Sequence, residues 1–230
     1  MVTEFRIGLS QVKDLRDGVM AVTSTQSVRR LQSFFQANGP VPEDLLTEIG
    51  DSLGVTDYAN LKLYRTWNDL TLDLAMLFQA MTSESYIASR YFDFRISEAC
   101  LRAAARGCKF NTLHSSRVGS STTLQIYGNL ASNPKALRVF KQVLKNPDMT
   151  IKEADFPYSF VVIDSRTVTA EIINPEDPNT FFFGLRLDSA ELASKLIDYY
   201  REIARNGIED KRQKLLATNS SATRKDIFSV

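Results

Sequence analysis

Residues 156–164 read FPYSFVVID and form the most informative segment of the chain. The large apolar side chains that follow Ser159 predict a buried strand, which ends at Asp164. Asp164-Ser165-Arg166 has the composition of a tight turn, and Thr167–Ile173 reads as a further strand. The segment therefore predicts an antiparallel hairpin within a larger sheet.

Upstream of this hairpin, a strand, a helix and a second strand follow one another. Residues 85–92 (SYIASRYF) predict a buried strand, and apolar residues between 96 and 104 recur at helical spacing. Gly107 lies where a helix commonly ends in the left-handed conformation, and Lys109–Leu113 predicts the next strand. This order is a βαβ unit, which implies parallel strands and a right-handed crossover.

The remaining elements extend the same pattern. A long helix is predicted over residues 66–81, with an apolar stripe typical of a core or of a dimer seam. Downstream, the patterns predict a helix from Asn133-Pro134, strands over Thr150–Glu153 and Phe181–Leu187, and a final helix capped by Asp188 that ends at Gly207.

This succession of elements predicts an α/β fold with a mixed, largely parallel sheet flanked by helices. We expect that domain to span residues 66–210. Residues 1–65 predict a small α+β extension of unknown role, with strands at 4–9 and 18–23 and helices that begin after Ser24 and at Pro42. The polar residues 211–230 predict a flexible tail.

Composition disfavours several functional classes. A net charge of +1 provides no general attraction for nucleic acid, and the acidic segment Pro42–Lys62 would repel phosphates, so we expect no direct nucleic-acid binding. One histidine and two cysteines, Cys100 and Cys108, are too few for a histidine-rich metal site or a disulfide framework, so neither a metal nor a cofactor is predicted. No apolar run approaches the ~18 residues of a membrane-spanning helix, and no secretory signal is visible. We therefore expect a cytoplasmic protein without membrane association.

The strand at 156–164 resembles the H-x-K-x-x-x-x-D strand of phospholipase-D-type phosphodiesterases. Asp164 matches the motif, but Pro157 and Ser159 stand where that family has its histidine and lysine. The Ala-Ala-Ala-Arg-Gly run at 103–107 and the strand–helix order around it extend the resemblance over residues 70–207. The order is similar to the effector domain of TrmB-type transcription regulators, which is a non-catalytic phospholipase-D-like domain. The resemblance implies a fold without phosphodiesterase chemistry, in which Asp164 has a structural role in the turn.

A polar segment after the second parallel strand provides the candidate site. Ligands of open α/β sheets collect beyond the carboxyl ends of parallel strands. The residues expected to converge there come from the ends of both strands and from the loop that follows: Arg90, Tyr91, His114, Ser115, Ser116 and Arg117. Hydroxyls, backbone amides and an arginine suit a small polar or anionic ligand, whereas the alternative is a solvated loop.

Three functions remain open on this basis. The first is a non-catalytic ligand-sensing or regulatory domain of an archaeal-type transcription regulator or signalling protein, expected to form a homodimer. In that hypothesis, ligand binding shifts the helix at 66–81. The second is a protein–protein interaction module without a small-molecule ligand. The third is a relative of phosphodiesterases and nucleases, although the missing histidine and lysine argue against catalysis.

Overall fold

One mixed β-sheet organises the part of the chain that the structure, a computed structural model, describes: Thr47 and residues 60–91, 93–115, 133–146, 149–156, 159–173, 181–205 and 207–209. Its eight strands are β1 (Lys62–Tyr64), β2 (Glu84–Ser89), β3 (Lys109–Ser115), β4 (Met149–Ala154), β5 (Phe160–Ile163), β6 (Thr167–Ile173), β7 (Phe181–Asp188) and β8 (Ile208–Glu209). The helices are α1 (Trp67–Ala80), α2 (Phe94–Ala104), α3 (Pro134–Lys145) and α4 (Ala190–Arg205). The strand order across the sheet is β1-β7-β6-β5-β2-β3-β4-β8.

The predicted α/β class and the mixed sheet are confirmed, but antiparallel pairings outnumber parallel ones. Among the described strands, β3 pairs in parallel with both β2 and β4, and the other five pairings are antiparallel. The prediction that the sheet is largely parallel is therefore wrong, because most of the described strand pairings are antiparallel. The cause is that β5, β6 and β7 form a meander, and β5 then joins β2 in the antiparallel sense.

The helices cover the two faces of the sheet unequally. Helices α1, α2 and α3 pack on one face, through residues such as Leu74, Cys100 and Val143. Helix α4 alone packs on the other face, through residues such as Leu192 and Leu196. We call these the three-helix face and the α4 face. Since successive strand residues point to opposite faces, each strand contributes alternate side chains to the two cores.

Helices α1 and α3 begin where the sequence predicts, and a local hydrogen bond caps each of them. The Thr66 hydroxyl accepts from the Asp69 amide at 3.1 Å, and the Asn133 side chain accepts from the amides of Lys135 and Ala136. The predicted cap of the last helix is wrong by one residue, because Ser189 accepts from the Leu192 amide. Asp188 instead ends β7 and accepts from the Thr167 hydroxyl at 2.7 Å, so its carboxylate is engaged within the sheet.

Asp164 holds the turn between β5 and β6, as the resemblance implies. It adopts a φ of 51°, and its carboxylate accepts from the Thr82 amide at 2.9 Å and the Ser83 amide at 2.8 Å. These amides lie at the entry to β2, so the carboxylate joins the turn to the neighbouring strand rather than to its own loop. Gly107 has the predicted left-handed conformation, with a φ of 92°.

Several predictions fall outside the described residues. They are the strands at 4–9 and 18–23, the helices after Ser24 and at Pro42, and the tail at 211–230. The domain boundary at 65/66 stays a prediction. Just before it, Lys62–Tyr64 forms the edge strand β1 and pairs with β7. The described sheet therefore begins ahead of residue 66.

Candidate functional site

A row of polar residues crosses four adjacent strands on the three-helix face. His114 of β3 is in register with Ser89 of β2, the Arg90 amide donates to the Ser159 hydroxyl at 3.1 Å, and the Glu171 amide donates to the Ser159 carbonyl at 2.9 Å. His114, Ser89, Ser159 and Glu171 therefore form one line, which we call the strand-end row. It lies at the carboxyl ends of the parallel strands β2 and β3, where ligands of α/β sheets bind.

Glu171 forms a buried ion pair at one end of this row. Its side chain is 1% exposed, and its Oε1 accepts from an Arg90 guanidinium nitrogen at 3.0 Å and from the Tyr91 hydroxyl at 2.7 Å. Arg90 also donates to the Tyr91 hydroxyl at 2.9 Å. Burial raises the pKa of the Tyr91 phenol, and the negative charge of Glu171 raises it further. Tyr91 is therefore neutral and donates to the carboxylate.

The strand-end row borders a cavity of about 120 Å³ between the sheet and the three helices. Most of its wall is apolar, from residues such as Leu70, Leu74, Ile96 and Cys100. Polar groups enter from the strands: Ser89, Thr112, His114, Ser159, Thr169 and Glu171. Among the described residues that line the cavity, Asp93 and Glu171 are the charged ones, and none is a lysine or an arginine.

Helix α1 is connected to the row through aromatic packing. The ring of Trp67, in its first turn, lies 4.7 Å from the ring of Tyr91 and 5.7 Å from that of Phe181, measured between centroids. Tyr91 in turn donates to Glu171. Leu70 and Leu74 of the same helix line the cavity. Glu171 is thus connected to α1 through two direct contacts, from Glu171 to Tyr91 and from Tyr91 to Trp67.

The structure brings together three of the six site residues that the sequence predicts. Tyr91 and His114 both line the cavity, and Arg90 contacts Tyr91 and Glu171. Ser115 is separated from them: it is buried on the α4 face, where its hydroxyl donates to the Phe156 carbonyl at 2.9 Å. Adjacent residues of a strand point to opposite faces, so His114 and Ser115 cannot share one site. Ser116 and Arg117 lie outside the described residues.

Sequence reasoning missed Ser89, Thr169 and Glu171 as site residues, and gave Ser159 no role beyond the motif comparison. A signal for two of them was present in Thr167–Ile173, where Thr167, Thr169 and Glu171 alternate with apolar residues. Such alternation normally marks a face exposed to water. Thr169 and Glu171 are instead 3% and 2% exposed, so the polar face of this strand is turned into the protein.

Two described residues of the site bear on covalent catalysis, Ser159 and Cys100. Ser159 occupies the strand position where the motif has lysine, and its hydroxyl accepts from a backbone amide. Burial raises the pKa of the Cys100 thiol, which keeps it protonated and a poor nucleophile. Within the described ranges, no three histidine, cysteine or acidic residues cluster in a way that could hold a metal ion.

No described helix is long and apolar enough to cross a membrane.

Comparisons with known proteins give matches at the level of solved structures. NucT from Helicobacter pylori aligns at a TM-score of 0.48 and 16% identity, over 65% of this chain and 98% of that chain. TrmBL2, described as an archaeal chromatin protein with a novel mode of DNA binding, aligns at 0.48 and 14%, over 79% of this chain and 64% of that chain. Nuc from Salmonella typhimurium, a phospholipase D family member, aligns at a TM-score of 0.46 and 10% identity, over 65% of this chain and 97% of that chain.

One of these similar structures, Nuc, is described as a phospholipase D family member. No family model matches the chain, and no curated protein matches its sequence. At these TM-scores and identities the similarities say nothing about what this chain binds. The fold description therefore rests on the chain's own strand order and packing.

Proposed function

We propose that this domain is a non-catalytic ligand sensor, and that its ligand occupies the cavity beside the strand-end row. The observation that carries the proposal is the location of this cavity. It lies at the carboxyl ends of two parallel strands and is walled by α1, α2 and α3. Cavities of this kind, mostly apolar with a few convergent polar groups, are the usual form of small-molecule sites.

The absence of two motif residues from the sequence supports a sensor rather than a phosphodiesterase. Pro157 and Ser159 stand at the positions of the motif histidine and lysine. Phospholipase-D-type catalysis needs the histidine as nucleophile, and a homodimer would bring two copies of the same replacement. The function proposed here is therefore regulatory, within a transcription regulator or a signalling protein.

The output of the sensor would be a movement of α1. Trp67 packs on Tyr91, and Tyr91 donates to Glu171, so a ligand that displaces either partner alters the packing of the first turn of α1. A ligand shifts such an equilibrium only by its difference in affinity for the two positions of the helix. In this proposal the difference arises because the ligand displaces Tyr91 or Glu171 in one position of the helix and not in the other.

A thermal-shift screen tests the proposal. The panel should include sugars, nucleotides, inorganic phosphate, small carboxylates and small alcohols. A ligand at 100 times its Kd stabilises the folded state by about 2.7 kcal/mol, which raises the Tm by several degrees. The matched control is Cys100→Met, which fills the cavity with a flexible apolar side chain. A panel without any response, or a response that Cys100→Met leaves intact, contradicts this site.

A protein–protein contact is the second candidate, and one surface favours it. Leu72 and Met76 are 49% and 67% exposed and lie four residues apart on α1. Such a pair forms a short apolar stripe that suits a homodimer seam. Light scattering over a range of concentrations measures the molar mass of the native chain and of the double variant Leu72→Ser/Met76→Ser. If this stripe holds a dimer, the native chain has the mass of a dimer and the double variant that of a monomer.

A further inference from the structure

The most informative group in the cavity is a buried carboxylate oxygen. Glu171 is 2% exposed, and its Oε1 accepts from Arg90 and Tyr91, whereas its Oε2 accepts no hydrogen bond from any described residue. Two positions earlier on the same strand face, Thr169 is 3% exposed, and its hydroxyl also has no partner among the described residues. Both residues line the cavity. Buried polar atoms without a hydrogen bond are costly, so a donor placed at this point is stabilised.

We infer that the cavity takes a small uncharged molecule with an apolar body and a hydroxyl donor, and that the donor binds to Glu171 Oε2 beside Thr169. This inference rests on the proposed function and specifies its ligand. The chemistry differs from a phosphate or sugar-phosphate site, because the unused hydrogen-bonding capacity at this end of the cavity includes a carboxylate oxygen, Glu171 Oε2. The apolar body is accommodated by Leu70, Leu74 and Cys100.

The charges around Glu171 decide between neutral, cationic and anionic ligands. Arg90 lies 3.0 Å from Glu171 and already balances its charge, so an ammonium group would bring an uncompensated charge into a buried site. An anion would meet the lone pairs of Oε2, and no lysine or arginine is among the described lining residues. A neutral hydroxyl avoids both costs and can also exchange hydrogen bonds with Thr169.

The size of the cavity limits the ligand. An apolar cavity of about 150 Å³ is large enough to bind benzene. At about 120 Å³, this cavity suits a compact body of similar size. Thr112 and His114 lie on β3, three strands away from Thr169 on β6, a distance of about 14 Å at the usual strand spacing. A ligand bound at Glu171 therefore does not reach them, and Thr169 is the neighbouring group to test.

Three probes separate the contributions of shape, donor and charge. Phenol has the donor on a six-membered ring, fluorobenzene has nearly the same shape without a donor, and benzoate has a negative charge. Trp67 is the single tryptophan of the chain and packs on Tyr91, so its fluorescence reports binding at Glu171. We expect phenol to bind at least about tenfold more tightly than fluorobenzene, the equivalent of one hydrogen bond of about 1.4 kcal/mol. Benzoate should bind most weakly.

Two variants connect the binding to these residues. Thr169→Val keeps the shape of the side chain and removes a hydroxyl that has no described partner, so the fold should tolerate it. It should weaken phenol severalfold, by part of its preference over fluorobenzene, and leave fluorobenzene unchanged. Glu171→Gln should weaken phenol further, and its folding is checked by circular dichroism. Cys100→Met should abolish the binding of both probes.

The outcomes separate this inference from the proposed function. Equal affinity for phenol and fluorobenzene, unchanged phenol binding in Glu171→Gln, or tighter binding of benzoate would each overturn the donor at Glu171. No effect of Thr169→Val would overturn the placement of that donor beside Thr169. If phenol fails while a sugar or phosphate binds in a way that Cys100→Met abolishes, the sensor stands and its ligand class is different. If nothing in either set binds, both proposals fail.

Discussion

The two faces of the sheet are built from the same strands but differ in what they bury. The α4 face packs Val162, Val168, Phe183 and Leu187 against one amphipathic helix, and each of these side chains is fully buried. The three-helix face buries Thr169, Glu171 and Ser159 among its apolar residues and contains the cavity. Alternation along each strand makes this division possible, because one strand contributes to both faces independently.

Both faces contain an apolar core, and the difference lies in the polar groups that the three-helix face buries in addition. A core of apolar side chains gains free energy from area and close packing alone. A buried carboxylate with its partners gains little or nothing in net stability, since desolvation offsets the attraction of the ion pair. The strand-end row therefore has no evident value as a source of stability. The proposed ligand binding gives these polar side chains a role on the three-helix face.

The largest expected effect comes from removing the same side chain on each face. Leu187→Ala removes a fully buried side chain from the α4 face and should lower the free energy of unfolding by about 4 kcal/mol. Leu74→Ala removes a side chain that is 4% exposed and borders the cavity, and should cost about 2 kcal/mol because it makes fewer contacts there. Urea unfolding followed by circular dichroism measures both.

The order of these two variants is the informative result. Equal losses would mean that the wall beside the cavity is packed as closely as the α4 face. A larger loss for Leu74→Ala would contradict the comparison. A ligand that fills the cavity should increase the cost of Leu74→Ala and leave that of Leu187→Ala unchanged, because only the first side chain contacts the cavity.

The next effect concerns the ion pair at the end of the strand-end row. Arg90→Met leaves the Glu171 carboxylate buried without its cation and should lower the free energy of unfolding by about 3 kcal/mol. The double variant Arg90→Met/Glu171→Leu should cost less than Arg90→Met alone, because both charges are then removed together.

A surface pair on the opposite face provides the control. Lys195 lies 2.7 Å from Glu191 on α4, and both side chains are exposed. Lys195→Met should leave the unfolding midpoint unchanged within error, because exposed ion pairs contribute little.

The double variant Arg90→Met/Glu171→Leu decides how Glu171 contributes. If it is as unstable as Arg90→Met alone, Glu171 contributes through packing rather than through its charge.

Much of the fold follows from the sequence because the signals are local. The β5–β6 hairpin is determined by an apolar run and the turn Asp164-Ser165-Arg166, and the caps Thr66 and Asn133 act within three residues. The antiparallel pairing of β5 with β2 was not predictable in this way, because it joins segments about 75 residues apart through their side-chain packing. The choice of Ser189 over Asp188 as a cap depends similarly on the Thr167 hydroxyl across the sheet.

The sequence points to the edge of the sheet that borders the cavity, but it does not single out Glu171. The rule about carboxyl ends of parallel strands located Arg90, Tyr91 and His114. Glu171 was missed because it lies on an antiparallel strand, to which that rule does not apply. Its partner Arg90 is 81 residues away, and only the completed sheet brings them to 3.0 Å.

The smallest expected effect tests how each face treats a buried phenol. Tyr91→Phe removes the hydrogen bond to Glu171 and should lower the free energy of unfolding by about 1.5 kcal/mol near neutral pH.

The effect of Tyr91→Phe should depend on pH. Burial and Glu171 raise the pKa of Tyr91 in the folded state, so in alkali the unfolded chain ionises first, above about pH 10. The stability that Tyr91 contributes is therefore complete below that pH and is lost as the pH rises, which narrows the difference between the native chain and Tyr91→Phe. Tyr200, on the α4 face, also has its pKa raised, mainly by burial, so the native chain should likewise lose stability relative to Tyr200→Phe in alkali. Urea unfolding at neutral and alkaline pH measures both differences, and a gap for Tyr91→Phe that widens in alkali would mean that the folded protein stabilises the phenolate instead.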